Sequence, residues 1–127
     1  MSDKYVKFGN KKVYKKETLL EELEIEELPN DWEEGFVKNT GGGILLRYFY
    51  NYDEGLRITY SINPVETGVG LEKIEEKKVM GEKQYQVLEV LDEKTVDIDM
   101  IDMDEQERLL KCDKENFKKA IEFMKSY

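Results

Sequence analysis

The sequence predicts a single α+β domain over residues 1–127, in which a mostly antiparallel sheet carries helices on one face. Three observations predict it. The stretches 5–14 and 44–62 combine alternating apolar residues with turn signals, which is typical of β-hairpins. An acidic segment from Thr18 and an amphipathic segment near 114–125 follow the helical spacing. No long linker divides the 127 residues, and a chain of this length can bury its own core.

The first hairpin is predicted from two short apolar strands joined by a Gly-Asn pair at 9–10, which suits a two-residue turn. This turn sets Tyr5 opposite Tyr14 and Lys7 opposite Lys12. Two like charges directly opposite each other are destabilising unless an anionic group lies nearby. We expect the acidic helix that follows to supply that group.

The acidic helix is predicted to begin at Thr18, which forms a capping box with Glu21. Its apolar side consists of Leu19, Leu20 and Leu23. Pro29 ends this run, because the residue before a proline avoids helical geometry. The residues after it, which include Trp32, are expected to form a turn or a short helical piece, and 39–43 a flexible loop.

The second hairpin is the clearest predicted element. Its second strand alternates strictly between apolar and polar residues over 56–62, and its partner is the segment 44–50, closed by a five-residue loop at 51–55. This register predicts a buried face made of Ile44, Leu46, Tyr48 and Tyr50 from the first strand and Leu56, Ile58, Tyr60 and Ile62 from the second.

The opposite face of this hairpin is a candidate surface for contact with another protein. It carries Arg47, Phe49 and Arg57, with Tyr52 at the tip of the loop. Arginine and aromatic residues dominate the energetics of protein interfaces, which is why this set is selected. The alternative is that a helix covers this face.

The segment 68–80 fits both a strand and a helix, and we favour an exposed strand that ends at the chain-breaking Gly81. A third hairpin is predicted from 84–91 paired with 95–103, turning at 92–94. A bulge near Met100 and Ile101 would reconcile the two parities of its second strand.

An acidic stretch in this predicted hairpin is the second candidate contact surface. It comprises Asp97, Asp99, Asp102 and Asp104, and the register would add Glu89 opposite Asp97. A calcium loop is less favoured than a solvated strand face, because apolar residues intervene and an EF-hand glycine is missing. Because the negative charge of these carboxylates is poorly compensated, they would attract a cation or a basic partner.

The last element is predicted as a helix from about 114 to 125, capped by Asp113. Its apolar face is formed by Phe117, Ala120, Ile121 and Met124. Cys112 is expected to be a small buried hydrophobe rather than a nucleophile, because no histidine could activate it.

Composition excludes several classes of function. The net charge of −9 opposes binding to duplex DNA or an anionic membrane. The absence of histidine removes imidazole-based catalysis and the commonest metal ligand, and a single cysteine cannot form an internal disulfide. We find neither a secretory signal nor a membrane span, so we expect a soluble cytoplasmic protein without a cofactor.

The leading hypothesis is therefore a small cytosolic binding protein of the inhibitor, immunity or chaperone type, without catalysis. It would dock on a basic protein through the acidic helix at 21–27 or the acidic strand at 97–104. A homodimer through an open sheet edge is also compatible with the sequence.

Two other functions are weighed against it. The first is a single-stranded nucleic-acid module that uses Tyr5, Lys7, Lys12 and Tyr14, because aromatic rings interleaved with cations suit such ligands. The second is an enzyme that uses carboxylates and a divalent metal.

Overall fold

The computed structural model describes residues 5–8, 11–39, 45–62, 67–96 and 104–126. In chain order its elements are strands β1 (Tyr5–Phe8) and β2 (Lys11–Tyr14), helix α1 (Lys16–Glu22), a 3₁₀ turn (Pro29–Asp31), strands β3 (Glu33–Asn39), β4 (Leu45–Asn51), β5 (Leu56–Ile62), β6 (Thr67–Val79) and β7 (Glu82–Thr95), and helix α2 (Glu105–Ser126).

The main sheet is a five-stranded antiparallel meander in the order β3-β4-β5-β6-β7, and β1 with β2 forms a separate hairpin. Helix α2 packs against β2, β5, β6 and the 3₁₀ turn. We call the sheet face that α2 covers the inner face and the opposite one the outer face. This arrangement confirms the predicted α+β fold with a C-terminal helix on an antiparallel sheet.

The core lies between the inner face and α2. Phe49 from the sheet contacts Phe117 from the helix, with ring centroids 5.8 Å apart. The hairpin and α1 close one side of this core with Val13, Leu19 and Leu20, all buried. The other large contributors are Leu45, Ile58, Ile62, Leu71, Ile121 and Met124.

The first hairpin has the predicted register, with Tyr5 opposite Tyr14 and Lys7 opposite Lys12. The predicted turn residues 9 and 10 lie outside the described residues. The predicted Thr18 cap is wrong. Lys15 is the N-cap of α1, and the amide of Thr18 already donates to the carbonyl of Lys15 at 3.1 Å, so Thr18 lies within the first turn.

The segment after Pro29 contains the predicted short helical piece and one element that was not predicted. The 3₁₀ turn occupies Pro29–Asp31, and strand β3 follows at Glu33–Asn39, where a turn and a loop were expected. β3 pairs with β4 along an irregular ladder whose register shifts between Glu34 and Val37.

The predicted register of the second hairpin is wrong by one residue. Leu45 pairs with Ile62 and Phe49 with Ile58, because a four-residue turn, not a five-residue loop, joins β4 to β5. A shift of one residue moves every side chain of a strand to the other face. Arg47 and Phe49 therefore lie on the buried inner face.

The segment 68–80 is a strand, as favoured, but its first half is not exposed, since Val69, Leu71 and Ile74 are buried. The predicted third hairpin is wrong. β7 runs without interruption through the predicted turn at 92–94, and it pairs with β6. The chain turns at Met80 and Gly81, whose φ angles are 53° and 83°, the sign pattern of a type I′ hairpin turn. Glu89 lies opposite Lys73, and Asp97, its predicted partner, lies outside the described residues.

Helix α2 begins earlier than predicted. The amide of Glu107 donates to Asp104 Oδ1 at 2.8 Å, so Asp104 occupies the capping position predicted for Asp113. Asp113 lies within the helix and is fully buried. Residues 97–103, which include the predicted acidic strand and its bulge, lie outside the described residues.

Candidate functional site

Arg47, predicted as a contact residue, lies in the core and is 1% exposed. Its Nε donates to Asp113 Oδ1 and its Nη2 to Asp113 Oδ2, both at 2.8 Å. Nη2 also donates to the carbonyl of Tyr14, and the hydroxyl of Tyr60 donates to Asp113 Oδ1 at 2.5 Å. This cluster ties β2, β4, β5 and α2 together, so Arg47 stabilises the fold and is not available to a partner.

The ionisation of the cluster follows from its burial. Loss of solvent, reinforced by the neighbouring Asp113, holds the pKa of Tyr60 well above its usual value. The pKa of Arg47 is also raised: burial favours its neutral form, but Tyr60 and Asp113 outweigh that effect. The cluster therefore holds a neutral phenol beside a charged guanidinium at physiological pH.

Phe49 is also buried and contacts no solvent. Its ring lies between those of Tyr60, 6.1 Å away, and Phe117. Cys112 is buried as predicted, and this burial raises the pKa of its thiol. These side chains belong to the core, which contradicts the predicted role of Phe49 in an interface.

Tyr52 and Arg57 remain near the outer face, without the other two members of their predicted patch. Tyr52 is 51% exposed, and its ring stacks 5.3 Å from Tyr50 and lies 5.7 Å from Tyr85. Arg57 donates through Nε to Glu72 Oε1 at 2.8 Å. The structure thus separates the predicted patch into two buried residues and two surface residues.

The four residues predicted for nucleic-acid binding lie together on the β1–β2 hairpin. The rings of Tyr5 and Tyr14 stack on each other at 5.4 Å, and Lys7 and Lys12 are exposed. The backbone of Lys12 exchanges two hydrogen bonds with the side chain of Gln106, at 2.9 and 2.8 Å. Because the rings of Tyr5 and Tyr14 stack on each other, each ring covers one face of the other.

The predicted acidic strand is placed only in part. Glu89 is exposed on β7, and Asp104 is exposed while it caps α2. Asp97, Asp99 and Asp102 lie outside the described residues. The described part of this set does not form one surface.

A groove of about 1350 Å³ opens between α1, the 3₁₀ turn, the start of β3 and the turn after β4. The carboxylates that line it are Glu17, Glu26, Glu27, Asp31, Glu33, Glu34 and Asp53. Among the described residues that line it, Lys16 is the single cation. We call this feature the acidic groove.

The rim of the acidic groove is anchored to two other elements through Asn30. The side-chain amide of Asn30 donates to the carbonyl of Met124 at 2.7 Å, and Asn51 donates to the carbonyl of Asn30 at 3.0 Å. Asn30 and Asp31 both have positive φ, 52° and 64°. Asn and Asp tolerate this backbone better than most residues, so the sequence suits the sharp bend that turns Asp31 toward the groove.

The groove also has an apolar part, formed by Leu20, Leu28, Pro29 and Trp32. Trp32 is 4% exposed, and its Nε1 has no hydrogen-bond partner among the described residues. It is the only tryptophan in the sequence. Its fluorescence can therefore report on events in this groove.

The carboxylates of the groove are spread along it. Nowhere in the described ranges do three or more Asp, Glu or Cys side chains come together in a way that could hold a metal ion. Glu34, whose side chain is 29% exposed, lies 3.8 Å from Arg47 Nη1, yet burial raises the pKa of its carboxyl. The spread of the carboxylates along the groove suits an extended cationic surface better than a single ion.

Sequence reasoning identified part of this site. The segment 17–34 has nine acidic residues and no Lys or Arg, which is visible in the sequence, and it contributes six of the seven lining carboxylates. Asp53 was missed, because its approach depends on the path of the turn between β4 and β5. No signal in the sequence joins that turn to the acidic run.

The chain matches no protein-family model, and it matches no curated protein and no solved structure. No helix in the described parts of the chain is long and apolar enough to cross a membrane.

Proposed function

We propose that this protein is a small cytoplasmic binding protein that recognises a basic protein through its acidic groove, without catalysis. The observation that carries the proposal is a groove of about 1350 Å³ that is lined by seven carboxylates and one lysine. Inhibitors, immunity proteins and chaperones that cover a basic surface would act in this way.

The physical basis is charge complementarity combined with apolar burial. The carboxylates would attract Lys and Arg side chains, speed the encounter and select among partners. Leu28 and Pro29, which are half-buried, would then supply apolar contact for the stems of those long side chains. Because most of the groove charges are exposed, the affinity should fall as the salt concentration rises.

The test is affinity capture from the source cells, followed by mass spectrometry, with three forms of the protein. The first is the wild type, and the second is Glu26→Gln/Glu27→Gln/Asp31→Asn, which removes three groove charges. The matched control, Glu54→Gln/Glu75→Gln/Glu107→Gln, removes the same charge from exposed residues outside the groove and outside the acidic helix.

We expect a basic protein that the wild type and the control capture and the groove variant does not. Adding this purified partner should change Trp32 fluorescence in the wild type and the control. An identical set of captured proteins for all three forms would contradict the proposal, as would a partner that is itself acidic.

The two alternatives are carried by less specific observations. Lys7 and Lys12 are exposed, but Tyr5 and Tyr14 stack on each other, so single-strand binding stays a prediction for a gel-shift assay at low salt. The metal-dependent enzyme stays a prediction for a thermal-shift screen with Mg²⁺, Mn²⁺ and Ca²⁺.

A further inference from the structure

The β6–β7 ribbon extends beyond the rest of the sheet. The pairing of β5 with β6 ends at Leu56 opposite Lys73, whereas β6 and β7 remain paired out to Val79 opposite Glu82. Two-stranded ribbons on their own are marginally stable in water. Within the part of the chain that the structure describes, this ribbon has no neighbouring strand along much of its length.

Exposed apolar side chains concentrate on the same ribbon. Of the eight large hydrophobic residues exposed in the described part of the chain, six belong to it: Val79, Met80, Val87, Leu88, Val90 and Leu91. Four of them lie within five consecutive positions of β7, which is an edge strand of the sheet formed by the described residues. A long edge strand with exposed apolar residues is a template for pairing with another chain.

We propose that β7 pairs antiparallel with β7 of a second copy of this chain, about a twofold axis that passes through Leu88. This register sets Lys83 opposite Glu93 and Glu82 opposite Lys94, and symmetry repeats both pairs. A shift by one residue in either direction would set Lys83 opposite Lys94, or Glu82 opposite Glu93, and the two side chains of each pair lie on different faces of the sheet. The alternation of faces therefore excludes both neighbouring registers, and the two opposite-charge pairs support the register that remains.

The faces of β7 agree with this register. Tyr85 lies on the outer face, where its ring is 5.5 Å from Tyr50, and Lys83 shares its parity. Glu93 pairs with Gly70 and lines the same shallow outer-face groove as Thr59. Each Lys83–Glu93 pair thus joins two outer-face side chains, as antiparallel neighbours require.

The inner face gives the same result. Lys94 Nζ lies 2.7 Å from Glu122 in α2, which places it on the inner face, and Glu82 has the parity opposite to Lys83. This agreement arises because β7 has two bulges, at Leu88 and Leu91, each of which reverses the alternation of faces. Because the two reversals cancel, facing residues at the ends of the paired strands lie on the same face of the sheet, whereas facing residues at the centre do not.

Because of the bulges, the contact between the two copies would have hydrogen-bonded ends and an apolar centre. Ladder hydrogen bonds would form at the two ends, between 82–85 of one copy and 91–94 of the other. At the centre, Leu88 and Leu91 are the residues left over by the bulges, and they are 50% and 38% exposed. They would be buried by apolar contact between the copies rather than by regular pairing.

This dimer would leave the proposed docking surface free. The acidic groove lies beside β3, and β3 and β7 are opposite edges of the sheet. Pairing through β7 would therefore present one acidic groove at each end of a continuous ten-stranded sheet. The inference does not depend on the proposed function.

The test is sedimentation equilibrium over a series of dilutions. Lys83→Glu and Glu93→Lys should each weaken the dimer by about tenfold, because symmetry places two like-charge contacts in either variant. The double variant Lys83→Glu/Glu93→Lys restores both pairs with reversed sign and should restore the wild-type dissociation constant. The controls Lys125→Glu and Glu54→Lys, which change exposed residues away from β7, should have no effect.

A further variant tests the axis. Leu88→Lys would set two lysines against each other and should give a folded monomer, as checked by circular dichroism. A wild-type protein that stays monomeric at the highest concentration would overturn the proposal, and so would a double variant that associates no better than the singles. The capture experiment on the acidic groove would be unaffected by either result.

Discussion

The carboxylate of Asp113 in α2 receives both Nε and Nη2 of Arg47 in β4, each at 2.8 Å, inside the core. Both side chains are at most 2% exposed. A buried pair of this kind adds little net stability compared with apolar residues of similar volume, but its disruption leaves an uncompensated charge. Its effect here is to fix how α2 docks on the sheet.

Replacing only one residue of the Arg47–Asp113 pair should therefore lower the stability far more than replacing both with apolar residues. Asp113→Asn is expected to lower the free energy of unfolding by about 3–5 kcal/mol, because Arg47 stays charged and buried. The double variant Arg47→Met/Asp113→Leu should lose clearly less than the sum of the losses of its two single variants, Arg47→Met and Asp113→Leu. Urea unfolding of the four proteins measures this, and additive losses would contradict it.

Tyr60 should make the protein sensitive to alkaline pH. Its pKa in the folded protein is raised above the ordinary value of 10.0, so the stability it provides is complete below pH 10 and is lost as the pH rises towards the folded pKa. Over that range the free energy of unfolding should fall by up to about 1.4 kcal/mol per pH unit from this group.

Tyr60→Phe separates this effect from other tyrosines. It should be less stable than the wild type at neutral pH, since a hydrogen bond to a carboxylate is lost, yet its stability should decline less steeply above pH 10. Urea unfolding at a series of pH values compares the two slopes. Equal slopes would show that the Tyr60 hydroxyl ionises normally.

Asp104 should act as the cap of α2. Asp104→Ala is expected to cost about 1 kcal/mol, because the amide of Glu107 loses its acceptor. Asp104→Asn keeps an acceptor oxygen and is the matched control, expected to stay within a few tenths of the wild type. Thermal unfolding distinguishes the two variants, and equal losses would show that charge matters there and not the cap.

Two glycines should respond to alanine in opposite directions. At Gly35 a Cβ would lie 2.4 Å from Tyr50 Cε2, so the ring would have to leave its stack with Tyr52, at an expected cost of about 1–3 kcal/mol. At Gly70 a Cβ would meet nothing nearer than 3.9 Å, and Gly70→Ala should stabilise by about 0.5–1 kcal/mol. Urea unfolding measures both, and a loss at Gly70 would contradict the second expectation.

Periodicity predicted the elements better than their registers. In β4 both parities are mostly apolar, since Leu45 and Phe49 alternate with Leu46 and Tyr48, so the pattern could not decide which set is buried. Arg47 favoured the wrong register in the prediction, because an arginine side chain usually lies on the surface. Its partner Asp113 is 66 residues away, and local patterns do not report such pairs.

The turn at Met80 shows a second limit. Gly81 indicated a break in the chain, but methionine is not typical of a type I′ turn. The turn was therefore predicted at the more polar segment 92–94. The pairing of β6 with β7 overrode that local preference. The acidic groove was predictable where the charge is continuous in sequence and not where the turn carrying Asp53 approaches it.

The guanidinium of Arg47 has consequences for how the chain matures. During synthesis β2, β4 and β5 leave the ribosome well before the segment that carries Asp113, so for that interval the cation has no carboxylate of α2 to meet. Until then Arg47 lacks the carboxylate of Asp113 and keeps the longer contact with Glu34, 3.8 Å from Nη1, so the inner face of the sheet carries an incompletely compensated charge. The nascent chain should therefore stay sensitive to proteases until α2 emerges, and then acquire resistance in a single step.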